Sequence, residues 1–354
     1  MTKQNLTPHT IDYHAIIREG WDAYNSRRTI AVINNISSNV STNKVFQIVF
    51  DDHSEVIVKV SSFGTYENFK EDHVIINCLA NNLEYPYDLF LSSSLIKKNE
   101  LFLYKYEDTS IEVWMVFYRK VRVANKLPKQ LNEEQVSTLG AELAKFHKVC
   151  YNMTPVLPQS SKTLQKDIMK LMREVEKGSD NRRFRNQHDL IIKHCTMFLQ
   201  QLAVVDFDSF IKIPVFVDWN ISNFSVTDNS TFFSRWDYDW FRMSSRMMDF
   251  YSFSRVVSSI GDKTDFSYTS TQLCEERFIR FLQAYHKEFP LTKNEILFLP
   301  EAYRFFILHY VISNGAYFFS ESYAKKLQIE AYLLYLPRLD SVWNAEPILQ
   351  ALGL

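Results

Sequence analysis

The pattern of apolar residues changes once along this 354-residue chain, and the change limits the folds that it can adopt. Before residue 118, short runs rich in β-branched and aromatic residues alternate with turn-type residues, which is typical of an antiparallel sheet. From Asn132 onward, apolar residues recur at helical spacing through most of the chain. We therefore predict an α+β protein with a small antiparallel-sheet lobe, residues 1–118, and a larger, mostly helical lobe, residues 119–354.

The clearest element of the first lobe is a hairpin. Residues 45–50 and 55–60 are rich in Val, Ile and Phe, and the polar residues between them are typical of a turn. The other elements expected in this lobe are a short amphipathic helix over 11–24 that is broken at Gly20, a main helix over 66–81, and strands over 29–33, 89–91, 101–104 and 113–118.

Charge and cysteine usage exclude several classes of protein. The chain has 40 basic and 41 acidic residues, so no surplus charge indicates a nucleic acid or an anionic membrane as partner. Its four cysteines have no C-x-x-C spacing, which argues against a zinc site and predicts buried, reduced thiols. No apolar run reaches the length of a membrane span and the first residues lack an apolar signal core, so we expect a cytoplasmic protein.

One polar group in the second lobe carries chemical information. Asp218 and Asn223 lie five residues apart after an apolar run, and Asp237 follows a short hairpin-like segment. A carboxylate can accept the proton of an attacking hydroxyl, while an amide oxygen and a second carboxylate can hold Mg²⁺ on nucleotide phosphates. Asp and Asn are also ordinary turn residues, so this spacing alone is a weak signal.

The segment resembles the catalytic segment of the aminoglycoside phosphotransferase and choline kinase superfamily. That family reads His-Gly-Asp, four residues, Asn, a strand, and then Ile-Asp-Phe/Trp-Asp/Glu, with a Tyr-Asp-Leu further on. The family's His, which supports the loop of the catalytic Asp, and its Gly are replaced here by Phe216 and Val217. The polar positions that match are Asp218, Asn223, Asp237, Asp239 and Asp249.

A second match lies upstream. Residues 139–147, Leu-Gly-Ala-Glu-Leu-Ala-Lys-Phe-His, resemble the family's Leu-Gly-x-x-Leu-Ala-x-Leu-His helix. The resemblance implies structural roles, in which Gly140 permits close helix packing and His147 forms bonds within the large lobe. A buried, satisfied histidine is also the simplest interpretation of His147, so both lines of reasoning agree.

The resemblance implies a bilobal protein-kinase-like fold that binds ATP and Mg²⁺. Lys59 would hold the nucleotide phosphates, and a carboxylate of the main helix, Glu71 or else Asp72, would orient it. Ser38 and Asn39 lie in a glycine-free loop that would cover the phosphates. Each residue also has a simpler interpretation: an edge-strand lysine, acids suited to a helix dipole, and a solvated turn.

In the implied mechanism, Asp218 accepts the proton of the substrate hydroxyl, and Asn223 and Asp237 coordinate Mg²⁺. Asp239 either binds a second Mg²⁺ or caps a turn, and Asp249 is expected to pin the loop. The predicted acceptor is a small molecule with a hydroxyl group: an amino alcohol such as choline, an amino acid, a sugar or an aminoglycoside.

Two alternatives remain open at this point. Phe216 and the glycine-free loop are compatible with a pseudokinase that only binds a nucleotide or metabolite. A protein kinase is a further alternative, against which the long helical tail argues. Four arginines close to the motif in sequence, which either admit an anionic substrate or neutralise the aspartates, are Arg235, Arg242, Arg246 and Arg255.

Overall fold

The computed structural model describes residues 11–24, 27–39, 41–177, 186–261 and 267–354. Contacts divide the chain into two compact units. The smaller unit comprises Met1–Ser38, Asn43–Tyr66 and Ser94–Lys120, and the larger comprises Asn39–Thr42, Glu67–Ser93 and Val121–Leu354. The lobe boundary between residues 118 and 119 stays a prediction.

The smaller unit is built on an antiparallel sheet in the order β1-β2-β3-β7-β6. The predicted hairpin is confirmed as β2 and β3, which pair from Lys44 opposite Val60 to Val49 opposite Glu55. The elements are α1 Tyr13–Tyr24, β1 Ile30–Asn35, β2 Lys44–Phe50, β3 Glu55–Ser61, β4 Ile96–Lys97, β5 Glu100–Leu101, β6 Leu103–Glu107 and β7 Glu112–Arg119.

Helix α1 covers one face of this sheet. Val56, Val58 and Val60 of β3 belong to the core that it closes, whereas Lys59 does not, as strand alternation predicts. The predicted break at Gly20 is wrong, because α1 continues through it. A Cβ atom at Gly20 would lie 2.9 Å from the Met115 side chain, so the glycine allows the helix to pack closely on the sheet.

The larger unit contains almost all of α2, and its helices follow the predicted change of pattern. Asn132 is the N-cap of helix α3 and forms a capping box with Gln135. Its elements are α2 Tyr66–Asn82, α3 Glu133–Met153, α4 Leu164–Glu176, α5 His188–Val204, β8 Lys212–Val215, β9 Phe224–Val226, β10 Phe232–Arg235, β11 Arg242–Ser245, α6 Met247–Val256, α7 Glu276–Glu288, α8 Lys293–Phe306, α9 Gly315–Phe318, α10 Glu321–Glu330, α11 Leu336–Val342 and α12 Glu346–Leu352.

Close packing of α3 on α7 is confirmed at Gly140. A Cβ atom there would lie 2.3 Å from the carbonyl oxygen of Phe281, so no other residue fits without moving the backbone. This contact fixes the helix that also carries His147. The position of His147 therefore depends on this close packing of α3.

Residues 89–91 do not form the predicted strand. Only Leu91 takes part in a bridge, to Arg235, and the backbone before it turns. Phe90 is fully buried instead, with its ring centroid 5.2 Å from that of Phe232. The apolar run is therefore explained by side-chain packing in an aromatic core and not by a sheet ladder.

Two further features of the larger unit bear on the predictions. The continuous helical stretch Lys293–Ser313 is long and apolar enough for a membrane span, but 89% of its most apolar window is buried, so it packs as a core helix.

The four cysteines are free thiols, as predicted. Cys150 and Cys195 are buried, whereas Cys274 is exposed because it lies near a helix start at the surface, so its predicted burial is wrong.

Candidate active site

Two short antiparallel strand pairs of the larger unit carry the predicted catalytic residues. Strand β8 pairs with β11, and β9 pairs with β10, both antiparallel. Asp218 follows β8, Asn223 directly precedes β9, and Asp237 follows β10. The backbone nitrogen of Trp236 donates to the carbonyl oxygen of Asn223 at 3.0 Å, which ties the start of β9 to the segment that carries Asp237.

A strained turn delivers Asp218. Val217 has a φ angle of 63°, and the backbone nitrogen of Asp218 donates to the carbonyl oxygen of Phe216 at 2.6 Å. This is a γ-turn of the rare positive-φ kind, which a β-branched residue adopts only under strain. The family has glycine at this position, and the angle explains why: glycine reaches it without steric cost.

Asp249 holds this turn in place, as predicted. Its Oδ1 accepts hydrogen bonds from the backbone nitrogens of Phe216 at 3.0 Å and Val217 at 2.6 Å. Its Oδ2 accepts from Nε2 of His147 at 3.0 Å, and Nδ1 of His147 lies 2.9 Å from the hydroxyl of Tyr285. Asp249 and His147 are completely buried. The predicted bonds of His147 within this unit are thus confirmed.

The protonation state of His147 follows from its burial. Burial lowers the pKa of His147 below its usual value, against the opposing effect of Asp249. A neutral ring that donates from Nε2 to the carboxylate then accepts from the Tyr285 hydroxyl at Nδ1. The hydrogen bonds that run from Tyr285 through His147 to Asp249 therefore satisfy both ring nitrogens of His147 and support the turn.

Asp218 is oriented by one neighbour. Its Oδ1 accepts from the backbone nitrogen of Asn220 at 3.2 Å and from the Asn220 side chain at 2.6 Å. The Asn220 amide is held in turn by Arg255, whose Nη1 donates to its oxygen at 3.3 Å. Both of these hydrogen bonds of Asp218 use Oδ1, so Oδ2 is the oxygen that can receive a substrate hydroxyl.

The electrostatics of Asp218 favour proton transfer. Burial, and then the negative charge of Asp237, raise the pKa of Asp218 to about 6, while Arg235 and Arg255 oppose the shift. A carboxyl group with a pKa near 6 is ionised at neutral pH and is still basic enough to accept a proton. The effect of Asp237 also shows that the two carboxylates lie near each other.

The donor set beside Asp218 suits a hard cation. Among the described residues, Asn223 Oδ1 has only a long contact of 3.4 Å from the Ser222 hydroxyl, and Asp237 lies in a turn with a φ angle of 68°. Amide and carboxylate oxygens are the ligands that Mg²⁺ prefers, and a cation would relieve the repulsion between Asp218 and Asp237. In the part of the chain that the structure describes, no group of three His, Cys, Asp or Glu side chains forms a complete metal site. Ligands from nucleotide phosphates would have to complete one.

Asp239 lies one turn further along the same loop. Its backbone nitrogen donates to Oδ1 of Asp237 at 3.3 Å, so Asp237 itself caps this turn. The prediction that Asp239 binds a second Mg²⁺ or caps a turn stays open.

The predicted nucleotide-binding residues lie on several elements. Lys59 is buried on β3, opposite Val45 of β2 and Val116 of β7. Ser38 belongs to the smaller unit and Asn39 to the larger. Their roles toward a nucleotide stay predictions.

Glu71 and Asp72 of α2 both contact the segment before α4. Glu71 Oε1 accepts from the Ser160 hydroxyl and the Ser161 backbone nitrogen, each at 2.7 Å. Asp72 Oδ2 accepts from Nζ of Lys162 at 2.6 Å. These bonds anchor α2 within the larger unit, and the predicted role of Glu71 toward Lys59 stays a prediction.

The four arginines near the motif have different functions. Arg242 pairs with Asp167, and Arg246 pairs with Glu295, so both serve buried ion pairs. Arg255 holds Asn220. Sequence reasoning did not single out Asn220, although an Asn two residues after an Asp is a signal for local side-chain to backbone hydrogen bonding.

Comparison with known proteins identifies the fold. No family model and no curated protein matches the sequence. Solved structures do match. An amicoumacin kinase in complex with AMP-PNP, Ca²⁺ and Ami is 12% identical, with 96% of this chain and 97% of that chain covered and a TM-score of 0.63. A microcompartment-associated aminopropanol kinase is 14% identical, with 96% and 99% covered and a TM-score of 0.56.

A third match is an ethanolamine kinase from Plasmodium vivax, 11% identical, with 88% of this chain and 84% of that chain covered and a TM-score of 0.55. The chain has the aminoglycoside phosphotransferase and choline kinase fold. The α+β kinase-like fold predicted from the sequence is thus confirmed. Within it, Asp218 and Asp237 follow short strands of the larger unit, as the resemblance implied.

Proposed function

We propose that this protein is a small-molecule kinase that transfers the γ-phosphoryl group of ATP to a hydroxyl group in the presence of Mg²⁺. One observation carries the proposal. Asp218 is fixed on a strained, fully supported turn, has Oδ2 available, and senses the negative charge of Asp237. Strained backbone conformations that the surrounding structure holds in place, like the one at Val217, cluster at functional sites.

In this proposal, Asp218 positions the acceptor. Oδ2 accepts a hydrogen bond from the substrate hydroxyl and takes its proton as the new oxygen–phosphorus bond forms, while the bond between the γ-phosphorus and the bridging oxygen breaks and ADP leaves with that oxygen. Asn220 keeps Oδ1 occupied, so the carboxylate cannot rotate freely. Positioning of this kind supplies much of the rate enhancement in phosphoryl transfer.

Asn223 and Asp237 would hold Mg²⁺ through their side-chain oxygens, and Lys59 would bind the phosphates. When bound, Mg²⁺ supplies positive charge that neutralises the phosphate oxygens. The residues of the chain contribute a fixed geometry. The hydrogen bond from Trp236 to Asn223 keeps the two proposed ligand segments in register.

The acceptor class is proposed from the neighbours and from the site together. The solved structures of similar fold include kinases named for aminopropanol, ethanolamine and amicoumacin. We therefore propose a small molecule with a free hydroxyl group, among the amino alcohols, amino acids, sugars and aminoglycosides. A carboxylate base at the reacting position is suited to any of these hydroxyl groups.

The test is ADP release from ATP across a panel of hydroxyl metabolites, with Mg²⁺ or with EDTA. We expect one class of metabolite to stimulate release in Mg²⁺ only, and Asp218→Asn to abolish the stimulation. Wild-type protein that binds Mg²⁺·ATP but releases no ADP with any acceptor would favour the alternative of a nucleotide-binding pseudokinase. Phe216 and the glycine-free loop of Ser38 and Asn39 are the sequence features that favour this alternative.

A further inference from the structure

Arg235 occupies an unusual position at the end of β10. Its side chain is completely buried. Its guanidinium carbon lies 4.6 Å from the ring centroid of Phe216 and 4.3 Å from that of Trp219, the residues that precede and follow the Val217–Asp218 turn. Aromatic faces at this distance attract a desolvated cation.

The same guanidinium contacts both loops of the site. Nη2 donates to the carbonyl oxygen of Asp218 at 2.7 Å and lies 3.4 Å from the carbonyl oxygen of Asp237. The backbone nitrogen of Arg235 donates to the carbonyl oxygen of Phe90 at 2.6 Å, which fixes the base of the side chain. One buried group thus joins the catalytic turn to the loop after β10.

Other buried arginines of the larger unit are used differently. Arg246 pairs with Glu295, and Arg304 pairs with Glu301 and Asp340. Among the described residues, no carboxylate lies within ion-pair distance of Arg235, and its Nε and Nη1 have no hydrogen-bond partner. A buried cation in these surroundings is costly, and an apolar side chain of similar size would fill the space at lower cost.

We propose that Arg235 is a positioning residue that clamps the turn of Asp218 to the loop of Asp237, with the rings of Phe216 and Trp219 holding the cation in place. Its catalytic consequence rests on the proposed kinase function, but the clamp itself does not. Because its contacts are to backbone oxygens, Arg235 sets the separation of the two loops without touching substrate. Lysine cannot replace it, because an ammonium group lacks the planar guanidinium that stacks on the two rings while it donates to the carbonyl oxygens.

The first experiment measures the clamp directly by hydrogen exchange of backbone amides. Arg235→Met keeps the apolar volume and removes the guanidinium. We expect amides in residues 216–223 and 236–240 to exchange at least about tenfold faster in this variant. The two hydrogen bonds from the guanidinium are absent, so local opening of these segments costs less free energy. Arg304→Met is the matched control, since it removes another buried arginine that contacts neither loop.

Unchanged exchange in both segments, or equal acceleration in Arg304→Met, would overturn the clamp. Arg235→Lys provides a second variant if Arg235→Met does not fold. Lysine has no planar guanidinium to pack on the rings of Phe216 and Trp219, so its ammonium group is held less firmly and acceleration should appear in at least one of the two segments. This readout needs neither substrate nor Mg²⁺.

The second experiment measures the consequence for the proposed reaction. With an acceptor identified, kcat should fall about 100-fold in Arg235→Met, with little change in the KM of the acceptor, because misplacing a reacting group costs this much. Calorimetry with AMP-PNP and Mg²⁺ should show weaker binding in Arg235→Met than in Arg304→Met. Wild-type protein without turnover refutes the proposed function and leaves the exchange result standing. Unchanged kcat in Arg235→Met refutes the catalytic role of the clamp.

Discussion

Replacing Asp218 by Asn should stabilise the protein, and the size of the gain should depend on pH. Burial and the charge of Asp237 raise the pKa of Asp218 from 3.8 to about 6. A carboxyl group whose pKa is raised by folding prefers its protonated form in the folded state. At neutral pH, the ionised group therefore lowers the free energy of unfolding, and a neutral amide removes this penalty while keeping an oxygen for Asn220.

The magnitude follows from the shift. One pKa unit corresponds to about 1.4 kcal/mol, so a shift of about two units gives a penalty of up to about 3 kcal/mol. Asp218 is partly exposed, and screening by solvent reduces this to about 1–2 kcal/mol. In a chain of this size, that change corresponds to a rise in Tm of about 1–3 °C.

The sign of the pH dependence is fixed by the direction of the shift. Below pH 3.8 the carboxyl is protonated in both states, so wild type and Asp218→Asn should differ little. Between pH 4 and 6 the penalty on wild type grows, because only the unfolded state releases the proton readily. Above pH 6 the difference should reach its full value.

The assay is thermal unfolding of both proteins from pH 4 to pH 8 in EDTA. Asp228→Asn, an exposed substitution of the same kind in the turn between β9 and β10, is the control for the chemical change itself. Adding Mg²⁺ and a nucleotide should reduce the difference, because a cation at Asn223 and Asp237 favours ionised Asp218. A variant that is less stable than wild type at pH 8, or a difference independent of pH, would refute the reasoning.

Two further predictions concern the turn. Val217→Gly should be more stable than Val217→Ala by about 1 kcal/mol, the reverse of the usual order, because only glycine adopts a φ angle of 63° without strain. Urea unfolding of the two variants checks this, and an alanine variant as stable as the glycine variant would show that the strain is absent. Asp249→Ala should cost about 3 kcal/mol or more, because two backbone nitrogens and His147 lose a buried acceptor. Unfolding at pH 7 measures the loss, and a cost below 1 kcal/mol would contradict the assigned support.

Local patterns predicted much of the fold. The change from strand-like to helical spacing, the hairpin of β2 and β3, and the start of α3 at Asn132 are all encoded within a few neighbouring residues. Asp249 was also predictable as the residue that pins the loop, because its position matched a motif. These features need no knowledge of what lies across the core.

The features that sequence reasoning missed depend on distant partners. Gly20 resembled a helix break, but its role is set by Met115 of a strand far along the chain. Residues 89–91 resembled a strand because Phe90 is apolar, yet most of its aromatic partners lie far along the chain, at Phe146, Trp219 and Phe232. The sequence around Arg235 gave no signal of its proposed clamping role, because that role depends on two rings and two carbonyl oxygens that meet only in the folded chain.

The two departures from the family motif are understandable once Arg235 is considered with them. Phe216 cannot donate the hydrogen bond that a histidine side chain would offer, but its ring presents a face to Arg235 at 4.6 Å. Arg235 also donates to the carbonyl oxygen of Asp218 at 2.7 Å. Val217 is held at its strained angle by Asp249, which accepts from the backbone nitrogens of Phe216 and of Val217 itself. Support for Asp218 therefore comes both from Asp249, which matches the motif, and from Arg235, which does not, so a search for the motif alone underestimates how firmly this loop is held.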